Sequence, residues 1–189
     1  MNAPIPAQNG FTPGGKIDTD KTLKPVKVAV LTISDTRDEE SDTSGDLLAS
    51  RVTGAGHELV DRAIVKDSIV EIREKIEAWA ASGFVEAIVT TGGTGITGRD
   101  VTPEAVRPLF DKEIDGFSVV FHMVSYASVG LSTLQSRALA GIVKGCFVFC
   151  LPGSNGAVKD GWDKVISAQL DSRHGPCNMV ELMPRLMES

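Results

Sequence analysis

The sequence predicts an α/β fold built on a mostly parallel, doubly wound sheet with an antiparallel edge. Three observations lead to this class: apolar runs of strand length alternate with helical segments, the runs are almost continuously apolar, and the last two are separated only by Lys144-Gly145. Continuously apolar strands are typical of parallel sheets covered on both faces, and the alternation is that of βαβ units. The two-residue connection favours an antiparallel hairpin.

The first strand, Val26 to Ile33, is a nearly unbroken apolar run rich in β-branched residues, which predicts a central position in the sheet. A polar loop separates it from a helix whose apolar positions are Leu47, Leu48 and Val52. This helix ends near Gly54 and Gly56, because glycine commonly terminates helices. His57 to Val65 predicts the second strand.

The next helix begins at Ser68, since Ser68-Ile69-Val70-Glu71 has the Ser-x-x-Glu form of a capping box. Its apolar positions form one stripe at helical spacing: Ile69, Ile72, Ile76 and Trp79. Ser82-Gly83 ends this helix, and Val85 to Val89 predicts the third strand. Thr102-Pro103 is a suitable N-cap and first-turn pair for the helix that follows.

The last third of the chain predicts a helix, a hairpin and a further helix. Phe117 to Val129 has the broad apolar face of a helix, and Ala138 to Val143 and Cys146 to Leu151 are two strands joined by a tight turn. Ser154, in Pro152-Gly153-Ser154, can then cap the last helix. The apolar positions of that helix are Val158, Trp162, Val165, Ile166 and Leu170.

The composition indicates one domain that works in the cytoplasm. Of the 189 residues, 1 to 25 are rich in Pro, Gly, Asn and Asp and predict a disordered leader, whereas 26 to 189 suffice for a single α/β domain. The net charge of -6 argues against a nucleic-acid partner. Apolar runs such as Cys146 to Leu151 are too short to cross a membrane, and no secretion signal is recognisable. The three cysteines fit neither a disulfide framework nor a metal site.

The most informative segment is the loop after the third strand, Thr90-Thr91-Gly92-Gly93-Thr94-Gly95. Its glycines permit positive φ and a close approach of the backbone to a ligand, and its threonines add hydroxyl groups. It matches neither the P-loop nor the dinucleotide-binding fingerprint. A flexible surface loop is the alternative, but ligands of parallel sheets bind beyond the carboxyl ends of strands, where this loop lies. We therefore predict that it cradles phosphate.

Two aspartates accompany this loop and predict a cation site. Asp67 follows the second strand, Asp100 follows the glycine loop, and the loops after Ile33 and Leu151 should converge on the same edge of the sheet. Alone, Asp67 is better explained by a helix cap or a surface position, and Asp100 by a turn. Together they flank a loop suited to anions, where a hard cation bridging phosphate oxygens would offset their charge.

Several motifs together resemble the molybdopterin-binding family, over nearly all of the chain after residue 25. They are Thr90 to Gly95 followed by Arg99-Asp100-Val101-Thr102-Pro103-Glu104, Ser34-Asp35 with Asp42-x-Ser44-Gly45, and Leu151-Pro152-Gly153-Ser154. Three further segments resemble the B-type branch of that family: Ala63 to Lys66, Ser132 to Arg137, and Pro176-Cys177-Asn178.

The resemblance implies a three-layer α/β/α fold and a role in molybdenum cofactor biosynthesis. The implied reaction is a magnesium-dependent transfer of AMP from ATP to the terminal phosphate of molybdopterin, by a nucleotidyltransferase that forms trimers or hexamers and works with other enzymes of the pathway. Asp67 and Asp100 would be catalytic and would hold Mg²⁺. The implied substrate-binding residues are Ser34, Asp35, Asp42, Ser44, Gly45, Thr91, Gly92, Gly93, Thr94, Gly95, Pro152, Gly153 and Ser154.

Two other functions remain compatible with the sequence. One is a non-catalytic molybdopterin carrier, because some B-type relatives have lost one of the two acidic groups, although both are Asp here. The other is a phosphate-ester hydrolase on the same fold, since fold alone does not determine chemistry. The sequence offers no Ser-His-Asp or Cys-His arrangement in favour of the hydrolase.

Overall fold

The computed structural model of the chain describes residues 15–188. Its strands are β1 (Lys16–Ile17), β2 (Lys27–Ile33), β3 (Glu58–Val65), β4 (Ala87–Thr91), β5 (Lys112–Glu113), β6 (Leu139–Val143), β7 (Cys146–Leu151) and β8 (His174–Gly175). Six of them form one sheet in the order β3-β2-β4-β7-β6-β5. The first four strands in that order are parallel, whereas β6 and β5 are each antiparallel to their neighbour. The mostly parallel sheet with an antiparallel edge is confirmed.

Helices cover both faces of this sheet and give three layers. They are α1 (Thr43–Gly54), α2 (Ile69–Ala81), α3 (Thr102–Val106), α4 (Asp115–Val129), α5 (Asn155–Gly161) and α6 (Ser167–Leu170). A π-helical turn, Trp162–Ile166, joins α5 to α6, and 3-10 turns lie at Arg107–Leu109, Gly130–Gln135 and Met183–Arg185. One apolar core holds side chains of α1, α4, α5 and α6, and the other holds side chains of α2 and α3. The predicted three-layer fold is therefore confirmed.

Strand β2 shows why the apolar runs are continuous. Val28 and Val30 belong to the first core, whereas Ala29, Leu31 and Ile33 belong to the second. Because successive side chains of a strand point to opposite faces, both sets must be apolar when both faces are covered. This burial explains the runs from which the strands were predicted.

The hairpin and two of the predicted caps are also present. Lys144 (φ 49°) and Gly145 (φ 80°) form the turn between β6 and β7, with the paired positive φ values of a type I′ connection. Ser154 caps α5 by accepting a hydrogen bond from the N–H of Ala157. Ser68 caps α2 by accepting from the N–H of Glu71. The Glu71 carboxylate, however, accepts from Lys66 instead of Ser68, so only half of the capping box forms.

Strand β4 is displaced by two residues from its predicted range of Val85 to Val89. Thr90 and Thr91, which were expected in the loop, pair with β2 on one side and with β7 on the other. Their β-branched side chains suit a buried strand, and both are fully buried. The glycine loop therefore leaves the sheet at Gly92.

Part of the expected disordered leader packs against the domain. Residues 1–14 lie outside the described residues, but β1 pairs antiparallel with β8 near the C-terminus. The N–H of Lys24 donates to the Ser172 hydroxyl, and Val26 is buried. Hydrogen bonds of residues 16–18 and of Lys24 therefore join this part of the leader to the C-terminal segment, and the domain boundary at residue 26 stays a prediction.

One described segment is long and apolar enough to cross a membrane, judged by length and composition alone. The short apolar strands had predicted that no segment would be. Residues 115–135, which comprise α4 and the 3-10 turn after it, form 21 helical residues, and a stretch of 18 residues within them has a mean hydropathy of 1.4. Phe117, Phe121 and Val124 of this segment pack in the core of the domain. The other face of this segment carries exposed apolar side chains. The segment is therefore part of a helical layer of the domain, and its outer surface is uncovered.

Candidate functional site

A cavity of about 780 Å³ opens at the carboxyl edge of the parallel strands. It lies at the ends of the neighbouring strands β2 and β4, where the connections that leave them diverge. The chain passes from β2 into α1 on one face of the sheet and from β4 into α3 on the other face. Such a switch point is the expected ligand site of an open parallel sheet. The end of α4, the 3-10 turn after it and α5 form the remaining wall.

Most of the residues predicted for the site line this cavity. They are Ser34, Asp35, Asp67, Gly92, Gly93, Thr94, Gly95, Asp100, Pro152, Gly153 and Ser154. The others, Asp42, Ser44, Gly45 and Thr91, are buried beneath the cavity and are not part of its wall. The loops after Ile33 and Leu151 and the glycine loop do converge, as their positions after parallel strands predicted.

The glycine loop is held by its carbonyl groups. The Thr102 hydroxyl donates to the carbonyl of Gly92 at 2.9 Å, and the Thr102 N–H donates to the carbonyl of Gly93 at 2.9 Å. Val101 occupies the N-cap position of α3 without a side-chain hydrogen bond, so the expected capping role of Thr102 is corrected. Its side chain instead ties α3 to the loop.

Arg137, which lies just before β6, donates further hydrogen bonds to the carbonyl groups of this loop. Its N–H donates to the carbonyl of Thr94 at 2.8 Å, and its guanidinium donates to the carbonyls of Gly95 at 2.7 Å and Asp100 at 2.8 Å. It also forms an ion pair with Glu104. Four consecutive carbonyl groups of the glycine loop are therefore bound by Thr102 and Arg137.

The N–H groups of the loop divide into two kinds. The N–H of Gly92 donates to the carbonyl of Leu151 at 3.0 Å and so extends the pairing of β4 with β7. Among the described residues, nothing accepts the N–H groups of Gly93 and Thr94. Adjacent free N–H groups at a strand end form a concave site for an anion. The loop therefore offers two adjacent free N–H groups, those of Gly93 and Thr94, and anion binding by Gly92 to Gly95 stays a prediction.

Gly92 itself is required by the backbone. Its φ is +110°, and a methyl group on its α-carbon would overlap the carbonyl oxygen of Ile33. We expect Gly92→Ala to destabilise the protein by at least about 2 kcal/mol, since strain and overlap add. Urea unfolding monitored by circular dichroism measures this loss. Gly98→Ala is the matched control because that position faces open space, and an equal effect of both variants would contradict the expectation.

Asp35 and Asp67 face each other across the cavity floor. The N–H of Asp35 donates to Asp67 Oδ2 at 3.1 Å, and the N–H of Asp67 donates to Asp35 Oδ1 at 3.3 Å. An ion pair with Arg99 holds the pKa of Asp35 below its usual value. Burial, and then the negative charges of Asp35 and Asp100, raise the pKa of Asp67. The positive charge near Asp67 is thus too small to offset the effects that raise its pKa.

Asp100 lies against the other end of the glycine loop. A methyl group on Gly95 would come within 2.7 to 2.9 Å of its carboxylate atoms, which shows how closely the two pack. Burial works against ionisation of Asp100, but hydrogen bonds from the hydroxyl and N–H of Thr97, at 2.6 and 2.8 Å, outweigh it. The pKa of Asp100 is therefore lowered, and the carboxylate is ionised at neutral pH.

The four predicted residues beneath the cavity form a polar support. Asp42 accepts hydrogen bonds from the Thr32 hydroxyl at 2.6 Å and from the N–H of Gly45 at 3.0 Å. The Ser44 hydroxyl lies 3.2 Å from that of Thr91, which also donates to the carbonyl of Pro152. This network joins β2, α1, β4 and the loop after β7, and it fixes the loops that line the cavity.

Sequence reasoning missed other residues of the cavity wall. The most prominent are Arg37, Arg99, Ser125, Thr133 and Asp160. Arg99 and Thr133 lie in motifs that carried the family resemblance, so the signal was present but was not assigned to the site. Ser125 and Asp160 lie inside helices, and no local pattern distinguishes them from other helical polar residues.

The carboxylates are compatible with one divalent cation shared with a ligand. Among the described residues, no group of three or more His, Cys, Asp and Glu side chains could hold a metal ion alone. Magnesium commonly takes one or two carboxylates and completes its shell with phosphate oxygens and water. Asp67 and Asp100 on either side of the free N–H groups offer that incomplete set.

The fold and the cavity define a class: three-layer α/β proteins with a glycine loop at the switch point of a parallel sheet. A family model described as a probable molybdopterin binding domain matches residues 29–172. The chain belongs to this molybdopterin-binding family, as the motifs in its sequence suggested, and is a member of the molybdenum cofactor biosynthesis proteins.

Individual relatives agree with this assignment. Molybdenum cofactor biosynthesis protein B of Escherichia coli K12 is 48% identical over 154 residues, which are 82% of this chain and 91% of the relative. The Bacillus subtilis protein of the same name is 42% identical, over 77% and 86% of the two chains. A crystal structure of a molybdenum cofactor biosynthesis protein B has a TM-score of 0.80 at 40% identity, covering 89% of this chain and all of that one. The tungsten cofactor synthesizing protein MoaB from Pyrococcus furiosus has a TM-score of 0.67 at 41% identity, covering 74% and 89%.

Proposed function

We propose that this protein binds molybdopterin and transfers AMP to its terminal phosphate from ATP, in a reaction that requires Mg²⁺. The observation that carries this proposal is the position of the free N–H groups of Gly93 and Thr94 between two carboxylates, Asp67 and Asp100. Donors for phosphate beside carboxylates that need a cation are the parts that phosphoryl transfer uses. A binding site for an uncharged ligand would require neither.

The chain's own groups would act by positioning and by charge. The N–H groups of Gly93 and Thr94 would hold phosphate oxygens, and Asp67 and Asp100 would hold the Mg²⁺ that neutralises phosphate charge. An oxygen of the molybdopterin phosphate would attack the α-phosphorus of ATP in line, and the bond to pyrophosphate would break as the new P–O bond forms. Alignment of the two phosphates would supply much of the rate.

The wall of the cavity also weighs against a covalent hydrolase. Among the described residues that line it, none is His, Cys or Lys, so the serine and threonine hydroxyls there lack a basic partner for activation. Burial raises the pKa of the Cys146 and Cys150 thiols to about 12, and both face the core. Direct transfer between two bound substrates needs no such nucleophile.

The test of this function is product formation by the purified protein. Molybdopterin, ATP and Mg²⁺ are incubated with the protein under anaerobic conditions, and adenylylated molybdopterin and pyrophosphate are measured by mass spectrometry and a coupled assay. We expect both products in equal amounts, and none when EDTA replaces Mg²⁺. Tight pterin binding without pyrophosphate release would instead establish the carrier function, and release of inorganic phosphate from simple esters would establish the hydrolase.

We also propose that the protein is a trimer or hexamer that works in the cytoplasm with other enzymes of the pathway. The uncovered outer surface of α4 and the 3-10 turn after it supports self-association. Its exposed apolar side chains are Val119, Met123, Tyr126, Val129, Leu131 and Leu134. Contiguous exposed apolar patches of this kind mark interaction sites in soluble proteins.

A single charge on this surface tests the assembly. We expect Val119→Asp to shift the protein toward monomer, because each copy would bury an unpaired carboxylate at the interface. Analytical ultracentrifugation across a concentration series measures the shift. Val70→Asp on α2 is the matched control, since Val70 and Val119 are both 61% exposed. A monomeric wild type, or identical behaviour of the two variants, would contradict the proposed interface.

A further inference from the structure

The α4–α5 wall of the cavity carries a buried carboxylate that phosphate transfer does not explain. Asp160, near the end of α5, is only 6% exposed and lines the cavity. Its Oδ1 atom accepts hydrogen bonds from Lys164 Nζ at 2.6 Å and from the Ser128 hydroxyl at 2.9 Å. Among the described residues, nothing donates to its Oδ2 atom. Lys164 and Ser128 therefore fix the orientation of the carboxylate and leave one acceptor oxygen available.

Two hydroxyl groups of residues that line the same cavity lack partners. Thr94 and Thr133 both line the cavity, with exposures of 1% and 7%, and the hydroxyl oxygen of each is buried without a hydrogen bond in the described part of the chain. Native proteins rarely leave buried hydroxyl groups unpaired, because each costs about 1–3 kcal/mol. Unpaired hydroxyl groups in residues of the cavity wall mark this part of the cavity as a candidate binding surface.

The remaining surface of this wall suits a flat ring. Val129 and Ala157 contribute apolar side chains, and Gly156 contributes none, so a planar group could lie against them. Lys164 offsets the charge of Asp160, so the pair offers no net positive charge to attract the triphosphate of a nucleotide. The wall thus combines an apolar surface with an acceptor for N–H groups.

We propose that Asp160 recognises the heterocycle of molybdopterin by accepting hydrogen bonds from the neighbouring N–H groups of its 2-amino-4-oxo edge. This inference rests on the proposed function, because it assigns one of the two substrate rings of that reaction to this wall. The free Oδ2 atom of Asp160 has two lone pairs, so it can accept from both adjacent donors of a pterin. Adenine presents a donor beside an acceptor nitrogen, which a carboxylate repels, so Asp160 keeps adenine out of the pterin position.

The test compares ring binding by the full-length wild type and Asp160→Asn. The probes are free pterin, guanosine, which carries the same 2-amino-4-oxo edge, and adenosine, each titrated by fluorescence or calorimetry. We expect the wild type to prefer pterin and guanosine over adenosine. Asp160→Asn should bind both of them roughly tenfold to a hundredfold more weakly, because charge-assisted hydrogen bonds are lost. Adenosine should bind the variant more tightly, because an amide offers the donor and acceptor that adenine requires.

Two controls separate recognition from a structural tie between helices. Asp163→Asn changes a nearby acid that pairs with Arg51 outside the cavity, and it should leave all three affinities unchanged. Ser128→Ala removes a hydrogen bond to Asp160 without changing its charge, and it should retain the preference for pterin. A merely structural Asp160 would weaken all three probes alike in Asp160→Asn, and that result would overturn the proposal.

The outcome is distinguishable from failure of the transferase function. Unchanged pterin affinity in Asp160→Asn, or no pterin binding by the wild type, overturns the recognition role even if adenylylated product forms. A selective loss of pterin and guanosine binding supports the role even if the wild type releases no pyrophosphate. In that case the ring site would belong to a carrier.

Discussion

Asp67→Asn is expected to slow AMP transfer strongly while making the protein more stable. Activity should fall on the order of 10²–10³-fold, the usual loss when one stabiliser of transition-state charge is removed. Stability should rise by up to about 1 kcal/mol, because the neutral amide escapes the burial and the repulsion by Asp35 and Asp100 that raise the pKa of Asp67; partial exposure keeps the gain small. Pyrophosphate release and thermal unfolding measure the two effects.

The pH dependence of stability provides an independent check of the same residue. Because the pKa of Asp67 is raised in the folded state, its contribution to stability is fully present below the unfolded value near 3.8. It is lost as pH rises through the folded pKa. Asp67→Asn should remove this dependence, whereas Glu74→Gln, a change at an exposed acid on α2, should not. Reduced activity together with reduced stability would show that the substitution had only damaged the fold.

Asp42→Ala is expected to cause the largest loss of stability, about 3 kcal/mol. The Asp42 side chain is 0% exposed and binds Arg62 at 2.9 Å, in addition to its hydrogen bonds with Thr32 and Gly45. Removing it leaves the Thr32 hydroxyl and the cap of α1 unpaired and breaks a buried ion pair. Denaturant unfolding measures the loss. Asp46→Ala is the matched control, because Asp46 also pairs with Arg62 but is 59% exposed, and it should cost less than about 1 kcal/mol.

Acid should reduce the contribution of Asp42 to stability, whereas it should increase the contribution of Asp67. Although burial favours the neutral form, hydrogen bonds from Thr32, Gly45 and Arg62 lower the pKa of Asp42. Its contribution is therefore present above the unfolded value near 3.8 and is lost as pH falls through the lower folded pKa. A wild type and an Asp42→Ala variant that lose stability equally between pH 4 and pH 2 would contradict this role.

The sequence predicted those parts of the fold that local chemistry determines. Apolar runs identified the central strands, because both faces of β2 must be apolar, and Ser68 and Ser154 marked helix starts by their own hydrogen bonds. Thr102 was wrongly predicted as the cap of α3, because a hydroxyl group that caps a helix and one that hydrogen-bonds to a neighbouring loop look the same in sequence. The difference depends on whether Gly92 lies nearby in space, which no local pattern reveals.

The site was predictable only where its residues follow strand ends. Asp67, Asp100 and the glycine loop were found because parallel strands bring their carboxyl ends together. Arg137 was missed because its partner Gly95 lies 42 residues away. Asp160 was missed because burial, not residue type, distinguishes it from the neighbouring Asp163. Contacts between distant segments therefore account for most of what the sequence did not predict.

The bound carbonyl groups of the glycine loop have a consequence for ligand affinity. Thr102 and Arg137 order the loop during folding, so the phosphate that we propose as its ligand would meet N–H groups already fixed in place. The conformational entropy of the loop is lost once, in folding, and does not reduce the free energy of binding. The same rigidity limits the range of ligands, since a loop fixed at four successive residues cannot adjust to an anion of different shape.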